Sequence, residues 1–187
     1  MPEVWQAVAR ETQLPELRKT TRDIPVYEDL MDYRLDILHK QGITLTDIQN
    51  EIVKLKPLDG AKDFLDWAGE RFQVAIISDT FYEFAGPLMV QLGDPFLLCH
   101  RLIVEDDRVV GYKLRQTDPK RHSVKAFKSL DLKVIAAGDS FNDVSMLEEA
   151  DHGIFFQAPE NVRAQFPQYP LAADYAQLQA LIEEAVG

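Results

Sequence analysis

The chain has 187 residues, the length of one main domain with room for a small insertion. Lys and Arg number 20 and Asp and Glu 31, and the net charge of −11 excludes a binder of nucleic-acid backbone or of an anionic membrane. Hydrophobic residues at 46% exclude a disordered chain, and a single cysteine, Cys99, excludes an internal disulfide or a cysteine zinc cluster.

No apolar run approaches the ~18 residues of a membrane span. The start, Met1-Pro2-Glu3-Val4-Trp5, lacks the basic and apolar regions of a secretory signal, so a cytoplasmic setting is expected. The first third reads helical. Val4, Trp5, Val8 and Ala9 follow Pro2 at helical spacing. Tyr27, Leu30, Met31, Leu35 and Leu38 mark a second amphipathic helix that closes near Gly42. Thr46-Asp47-Ile48-Gln49 has capping-box spacing, with Ile48, Ile52 and Leu55 behind it and Pro57 as the stop. Residues 60–70 read as another helix.

The pattern then changes to short apolar runs alternating with helices. Val74-Ala75-Ile76-Ile77 is the first run, followed by a helix to Leu92 that contains Pro87. Residues 96–105 and 109–115 flank Asp106-Asp107-Arg108 as a hairpin. Pro119 opens a helix to about Leu130. Val134-Ile135-Ala136-Ala137 is the second run, followed by a helix over 142–150. Gly153-Ile154-Phe155-Phe156 is the third, and a helix over 174–186 closes the chain. Apolar strands alternating with helices predict an α/β fold, a Rossmann-like parallel sheet covered on both faces. Residues 3–58 read as a small helical cap and residues 59–187 as the α/β core.

Ligands of such sheets bind beyond the carboxyl ends of the strands. Ser78-Asp79-Thr80 follows the first run, at an expected helix start, and suits either an anion or simple helix capping. Gly138-Asp139-Ser140-Phe141-Asn142-Asp143 follows the second. Its carboxylates and amide suit Mg²⁺, or a strand-end turn in which Asn142 or Asp143 caps the next helix. Lys120 falls in the first turn of a helix, where the dipole disfavours a cation. An anionic partner, a phosphate or Asp143, explains that placement; a solvated surface lysine is the alternative. Arg34 lies four residues from both Leu30 and Leu38, on the apolar stripe of its helix. It suits a carboxylate, or snorkels from the stripe's edge. His39, His100, His122 and His152 lack metal-ligand spacing and receive no role.

The order strand-Ser, Lys at a helix start, strand-Gly-Asp-x-x-Asn-Asp resembles the haloacid dehalogenase superfamily of aspartate-nucleophile phosphatases. The nearer likeness is to its phosphoserine phosphatase branch. Thr21-Arg22-Asp23-Ile24-Pro25, Ser78-Asp79-Thr80-Phe81-Tyr82-Glu83-Phe84, Leu98-Cys99-His100, Asp118-Pro119-Lys120-Arg121 and Ala158-Pro159-Glu160-Asn161-Val162 resemble the bacterial subgroup that also transfers phosphoryl groups from phosphoserine to homoserine. The resemblance implies an Mg²⁺-dependent phosphatase of serine biosynthesis working through an aspartyl-phosphate. Ser78 would bind the phosphoryl group. Lys120 would offset its charge, Asp139 would hold Mg²⁺, and Asn142 would contact the phosphate region. Asp143 would orient Lys120 or support the metal's shell. Asp79 stands where many members of the branch have glycine. Glu3 would hold the substrate ammonium and Arg34 its carboxylate. The implied partners are phosphoserine and homoserine, with a homodimer compatible and no nucleic acid or membrane.

The resemblance also implies an apolar strand ending in Asp-x-Asp or Asp-x-Glu ahead of the cap, its first carboxylate the nucleophile. The sequence begins at Met1-Pro2-Glu3, after that point. Asp23, Asp29, Asp32, Asp59 and Asp63 fall in helices or loops, and none follows an apolar strand as required. The expectation is a core whose first, central strand, between runs 74–77 and 134–137, is missing from this chain. An upstream start omitted from the sequence would explain it, and the chain as written is expected to show no turnover. A truncated inactive form or a phospho-amino-acid binding protein is one alternative. A phosphatase of the same family acting on another small phosphomonoester is the other.

Overall fold

A computed structural model describes residues 4–20, 23–24 and 26–187, with Glu11 described in its backbone alone. The chain divides into two compact units, Met1–Arg115 and Gln116–Gly187. That division falls inside the segment expected as core, not at residue 58.

The first unit holds α1 (Val4–Glu11), a 3-10 turn (Pro15–Arg18), α2 (Tyr27–Gln41), α3 (Leu45–Ile52), α4 (Ala61–Gly69), β1 (Ile76–Phe81), α5 (Tyr82–Leu92), β2 (Leu97–Glu105) and β3 (Arg108–Lys113). Its sheet has the order β1-β2-β3, with β1 and β2 parallel and β2 and β3 an antiparallel hairpin. Val8, Met31, Leu38, Ile48, Phe81, Phe84, Leu102 and Val109 share one buried cluster. The helices expected to form the cap therefore bury their apolar faces against the hairpin and the end of β1. Trp5 meets Phe84 edge to face at 5.4 Å in the same cluster.

The second unit holds α6 (Pro119–Lys128), β4 (Ile135–Gly138), a 3-10 turn (Phe141–Asp143), α7 (Val144–Glu149), β5 (His152–Phe156), α8 (Glu160–Arg163), β6 (Leu171–Ala172) and α9 (Tyr175–Val186). Its three strands are parallel, in the order β4-β5-β6. Leu147, Ile154, Phe155, Val162, Ala172 and Leu178 are buried there. The α/β class with parallel strand pairs thus matches the expectation. The described strands form two three-stranded sheets, one per unit, in place of one continuous sheet. Among the described residues no helix is long and apolar enough to cross a membrane.

Local chemistry explains where elements begin and end. Gly42 closes α2 at φ 67°, a left-handed conformation that favours glycine. The box that starts α3 is Thr44 with Asp47, not Thr46. Thr46 is instead occupied by the hairpin turn: its N–H and hydroxyl both donate to Asp107 Oδ1, at 3.1 and 3.0 Å. β1 starts two residues into the apolar run, at Ile76, and continues through Ser78-Asp79-Thr80. The helix expected to start there starts at Tyr82, so neither Asp79 nor Thr80 is its cap.

Candidate active site

The phosphoryl-binding segment expected at Ser78 lies in a break of the β1–β2 ladder. Ile77 is in register with Leu98 and Phe81 with His100. Three residues of β1, Ser78, Asp79 and Thr80, thus stand against one residue of β2, Cys99. Such bulges release the backbone from regular pairing and re-aim side chains. Inside this one the Thr80 N–H donates to Ser78 Oγ at 3.3 Å. The Asp79 carbonyl accepts from the Tyr27 hydroxyl at 3.5 Å. Burial pushes the Tyr27 phenol up to about 12, with Arg34 pulling it down and Asp79 adding to the rise, so it stays a donor at neutral pH.

Tyr27 and Arg34 are two turns apart on α2 and so share a face. Arg34 is buried, which removes the snorkelling alternative. Its Nη2 donates to the Lys19 carbonyl at 2.8 Å, and its guanidinium lies 4.5 Å over the Trp5 ring. Carbonyl and ring together fix the plane of the fork. Glu3 lies outside the described residues.

In the second unit, Lys120 and Asp143 form a buried pair, Nζ to Oδ1 at 2.6 Å. The anionic partner that its helix position calls for is therefore present. The other Asp143 oxygen accepts from the Asp139 and Ser140 N–H groups, each at 3.0 Å, and from the Ser140 hydroxyl at 2.7 Å. Ser140 and Asp143 thereby form a capping box over the 3-10 turn, so the capping alternative is also present, on the same carboxylate. Burial pushes the Asp143 carboxyl up, but Lys120 and the donors from Ser140 and Asp139 outweigh it and hold it below the usual carboxylate range. Partial burial and the Asp143 charge push Asp139 the other way, above that range. One acid is locked as an anion, and the other pays an electrostatic cost for its charge.

That contrast tests the fit to a divalent cation. Asp143 already receives four hydrogen bonds, whereas ionised Asp139 gains from a positive neighbour. Mg²⁺ is held by one or two carboxylates plus waters and phosphate, so an Asp139-centred site fits a hard cation. Among the described residues no group of three or more His, Cys, Asp and Glu could hold a metal. Asn142 is exposed on the 3-10 turn beside Asp143, its amide oxygen contacted by the Ser140 hydroxyl.

Ser78, Asp79, Tyr27 and Arg34 are thus linked within the first unit, and Lys120, Asp139, Asn142 and Asp143 within the second. A surface cleft of about 320 Å³ lined by Lys56, Leu58, Lys62 and Gln91 holds none of them. Two features escaped the sequence reading. Gly138 is a close-approach glycine: a Cβ there would lie 2.4 Å from Asp143 Cβ. His100 is 5% exposed and faces Asp79, with Nε2 3.8 Å from Oδ1. The signal for Gly138 was its place at a strand end just before Asp139; for His100 it was membership of the Leu98-Cys99-His100 segment, which assigned it no role.

The sequence matches the haloacid dehalogenase-like hydrolase family over residues 33–148. The chain belongs to this family. It is 60% identical over 180 residues to the phosphoserine phosphatase ThrH of Pseudomonas aeruginosa, covering 96% of this chain and 88% of that one. It is 59% identical over 180 residues to a phosphoserine phosphatase of Pseudomonas syringae pv. tomato, covering 96% and 76%. Among solved structures, the phosphoserine phosphatase of T. onnurineus in complex with NDSB-201 superposes with a TM-score of 0.71 at 27% identity, covering 96% of this chain and 86% of that one. This is a hydrolase family, so the chain is of an enzyme type.

Proposed function

We propose that this family member is an Mg²⁺-dependent phosphatase whose substrate is phosphoserine. The observation that carries the reading is the buried Lys120–Asp143 pair beside an Asp139 whose charge is disfavoured. This arrangement supports a reading in which a cation meets Asp139 and a phosphate meets Lys120. The 60% identity to a relative named as a phosphoserine phosphatase supports the substrate.

In this reading Ser78 in the β1 bulge binds the phosphoryl group. Lys120, held by Asp143, offsets its negative charge as a point cation. Asn142 contacts the phosphate region. Asp139 holds Mg²⁺, which when bound supplies Lewis-acid stabilisation of developing charge. Arg34 presents its fork to the substrate carboxylate, and Glu3 takes the ammonium. Residues 3–58 act as the cap that selects substrate and residues 59–187 as the catalytic core. Water accepts the phosphoryl group, and the hydroxyl of homoserine is the second acceptor. Among the described residues no carboxylate is assigned as the nucleophile, and the test uses protein expressed from its native gene.

That protein is expected to release phosphate from phosphoserine with Mg²⁺, and to stop on chelation. Phosphate release that survives Lys120→Ala or Asp139→Asn would sink the assignment. Arg34→Ala should lower kcat/KM for phosphoserine by the worth of a charged hydrogen-bond pair, about 1.5–3 kcal/mol or roughly 10–150-fold. Phosphoethanolamine, which lacks the carboxylate, should lose far less. Equal losses on both substrates would remove Arg34 from carboxylate recognition and favour another phosphomonoester as substrate.

A further inference from the structure

The β1 bulge contains an electrostatic conflict. Asp79 follows directly on Ser78, the residue read as the phosphoryl binder, and its side chain is one-third exposed. A carboxylate so placed repels a phosphate and competes for the same N–H and hydroxyl donors. An anion site tolerates it only if something holds the carboxylate back.

His100 is in position to do so. It lies on β2, directly beyond the residue that faces the bulge, and is itself buried. Its Nδ1 accepts the Arg115 N–H at 3.0 Å. That bond leaves the ring proton on Nε2, the nitrogen turned toward Asp79. Nε2 and Oδ1 are 3.8 Å apart, so the ring N–H faces the carboxylate from just beyond hydrogen-bond distance. The ring cannot turn away without breaking the Arg115 bond, and Phe81 packs beside it at 6.0 Å between ring centroids. Arg115 is anchored in turn, its Nε donating to the Cys99 carbonyl at 3.2 Å and its Nη2 to the Tyr82 hydroxyl at 2.7 Å. On the opposite side the Tyr27 hydroxyl holds the Asp79 carbonyl. Asp79 is thus held at its main chain from α2 and faced at its carboxylate by His100 of β2.

We propose that His100 is a positioning residue that draws the Asp79 carboxylate toward β2 and keeps the bulge open to a phosphoryl group. It acts through Asp79 and touches no substrate atom. The inference rests on the reading of Ser78 as the phosphoryl binder.

A double-mutant cycle tests it, because it separates action through Asp79 from a general packing role. His100→Leu fills much of the ring's space but removes both nitrogens. It should raise KM for phosphoserine and the Kd for inorganic phosphate about tenfold, with a smaller change in kcat. His100→Gln keeps an acceptor for Arg115 and a donor for Asp79, and should recover most of the loss. With Asp79→Asn there is no charge to hold back. Adding His100→Leu to that variant should then change phosphate binding by less than twofold. A His100→Leu penalty that persists in the Asp79→Asn background would overturn the proposal, as would an unchanged Kd in His100→Leu alone. If His100→Leu fails to fold, the same cycle with His100→Phe, which keeps a ring but removes both nitrogens, decides on the same terms. Binding of inorganic phosphate is measured apart from turnover. Wild type that binds phosphate without hydrolysing phosphoserine defeats the substrate assignment while the cycle still decides the role of His100.

Discussion

Gly138 supplies space, where Gly42 supplies backbone freedom. A Cβ at 138 would lie 2.4 Å from the Cβ and 2.7 Å from the Cγ of Asp143, so the acid must move if the glycine is replaced. Asp143 is also the group that neutralises buried Lys120. Gly138→Ala is therefore expected to cost about 1–3 kcal/mol from overpacking, and more where Lys120 loses its partner. The pH dependence identifies the cause. The Asp143 carboxyl is held below its usual range, so its share of stability is present above the unfolded carboxylate range near ~4 and is lost as pH falls through the lower folded value. In Gly138→Ala that acid-side loss should shrink, giving a flatter stability curve below about pH 4. Asp139, raised above its usual range, contributes with the opposite sign and weakens the fold as it ionises. Urea titrations across this range check the prediction; a parallel downward shift of the whole curve would mean Gly138 matters for packing alone.

At the scale of elements, the α3 start shows how a short helix is held. Its first three N–H groups are all met from outside its own ladder. Leu45 donates to the Asp107 carbonyl at 2.7 Å, Thr46 to the Asp107 carboxylate, and Asp47 to the Thr44 hydroxyl at 3.1 Å. The β2–β3 turn that supplies Asp107 has Asp106 and Asp107 at φ 47° and 62°, the twisted two-residue form that suits a hairpin. Asp107→Ala should destabilise the first unit by about 1–2 kcal/mol, because it removes a cap and puts Ala at positive φ. Asp107→Gly should cost less, since it relieves the backbone, and Asp107→Asn least. A flat series by thermal melting would show that the contact carries no stability. The hairpin itself was legible from two segments flanking the Asp106-Asp107-Arg108 turn, and α2 from its stripe and Gly42. The pairing of Lys120 with an anion was legible too, because a cation at a helix start needs a reason. The choice of Thr44 over Thr46 was not legible, because the competing partner comes from a turn some sixty residues away. Nor was the bulge at Ser78–Thr80, since a ladder irregularity depends on the facing strand and leaves no local pattern.

At the scale of the whole molecule, the division at Arg115 has a thermodynamic consequence. Met1–Arg115 and Gln116–Gly187 each have their own sheet, and buried apolar residues occur in both. Each can in principle open as its own cooperative unit, and then no single unfolding free energy describes the chain. The two tryptophans, Trp5 and Trp67, both lie in the first unit, so fluorescence reports that unit alone. Helices occur in both units, so far-ultraviolet circular dichroism reports both. Urea unfolding is therefore expected to give one transition by tryptophan emission and a broader or two-step curve by circular dichroism. Gly138→Ala sharpens the test, because its damage is confined to β4 and the Lys120–Asp143 pair. It should move the step seen only by circular dichroism and leave the tryptophan midpoint in place. Coincident curves in wild type, shifting together in Gly138→Ala, would mean that the units unfold as one body and would refute the prediction.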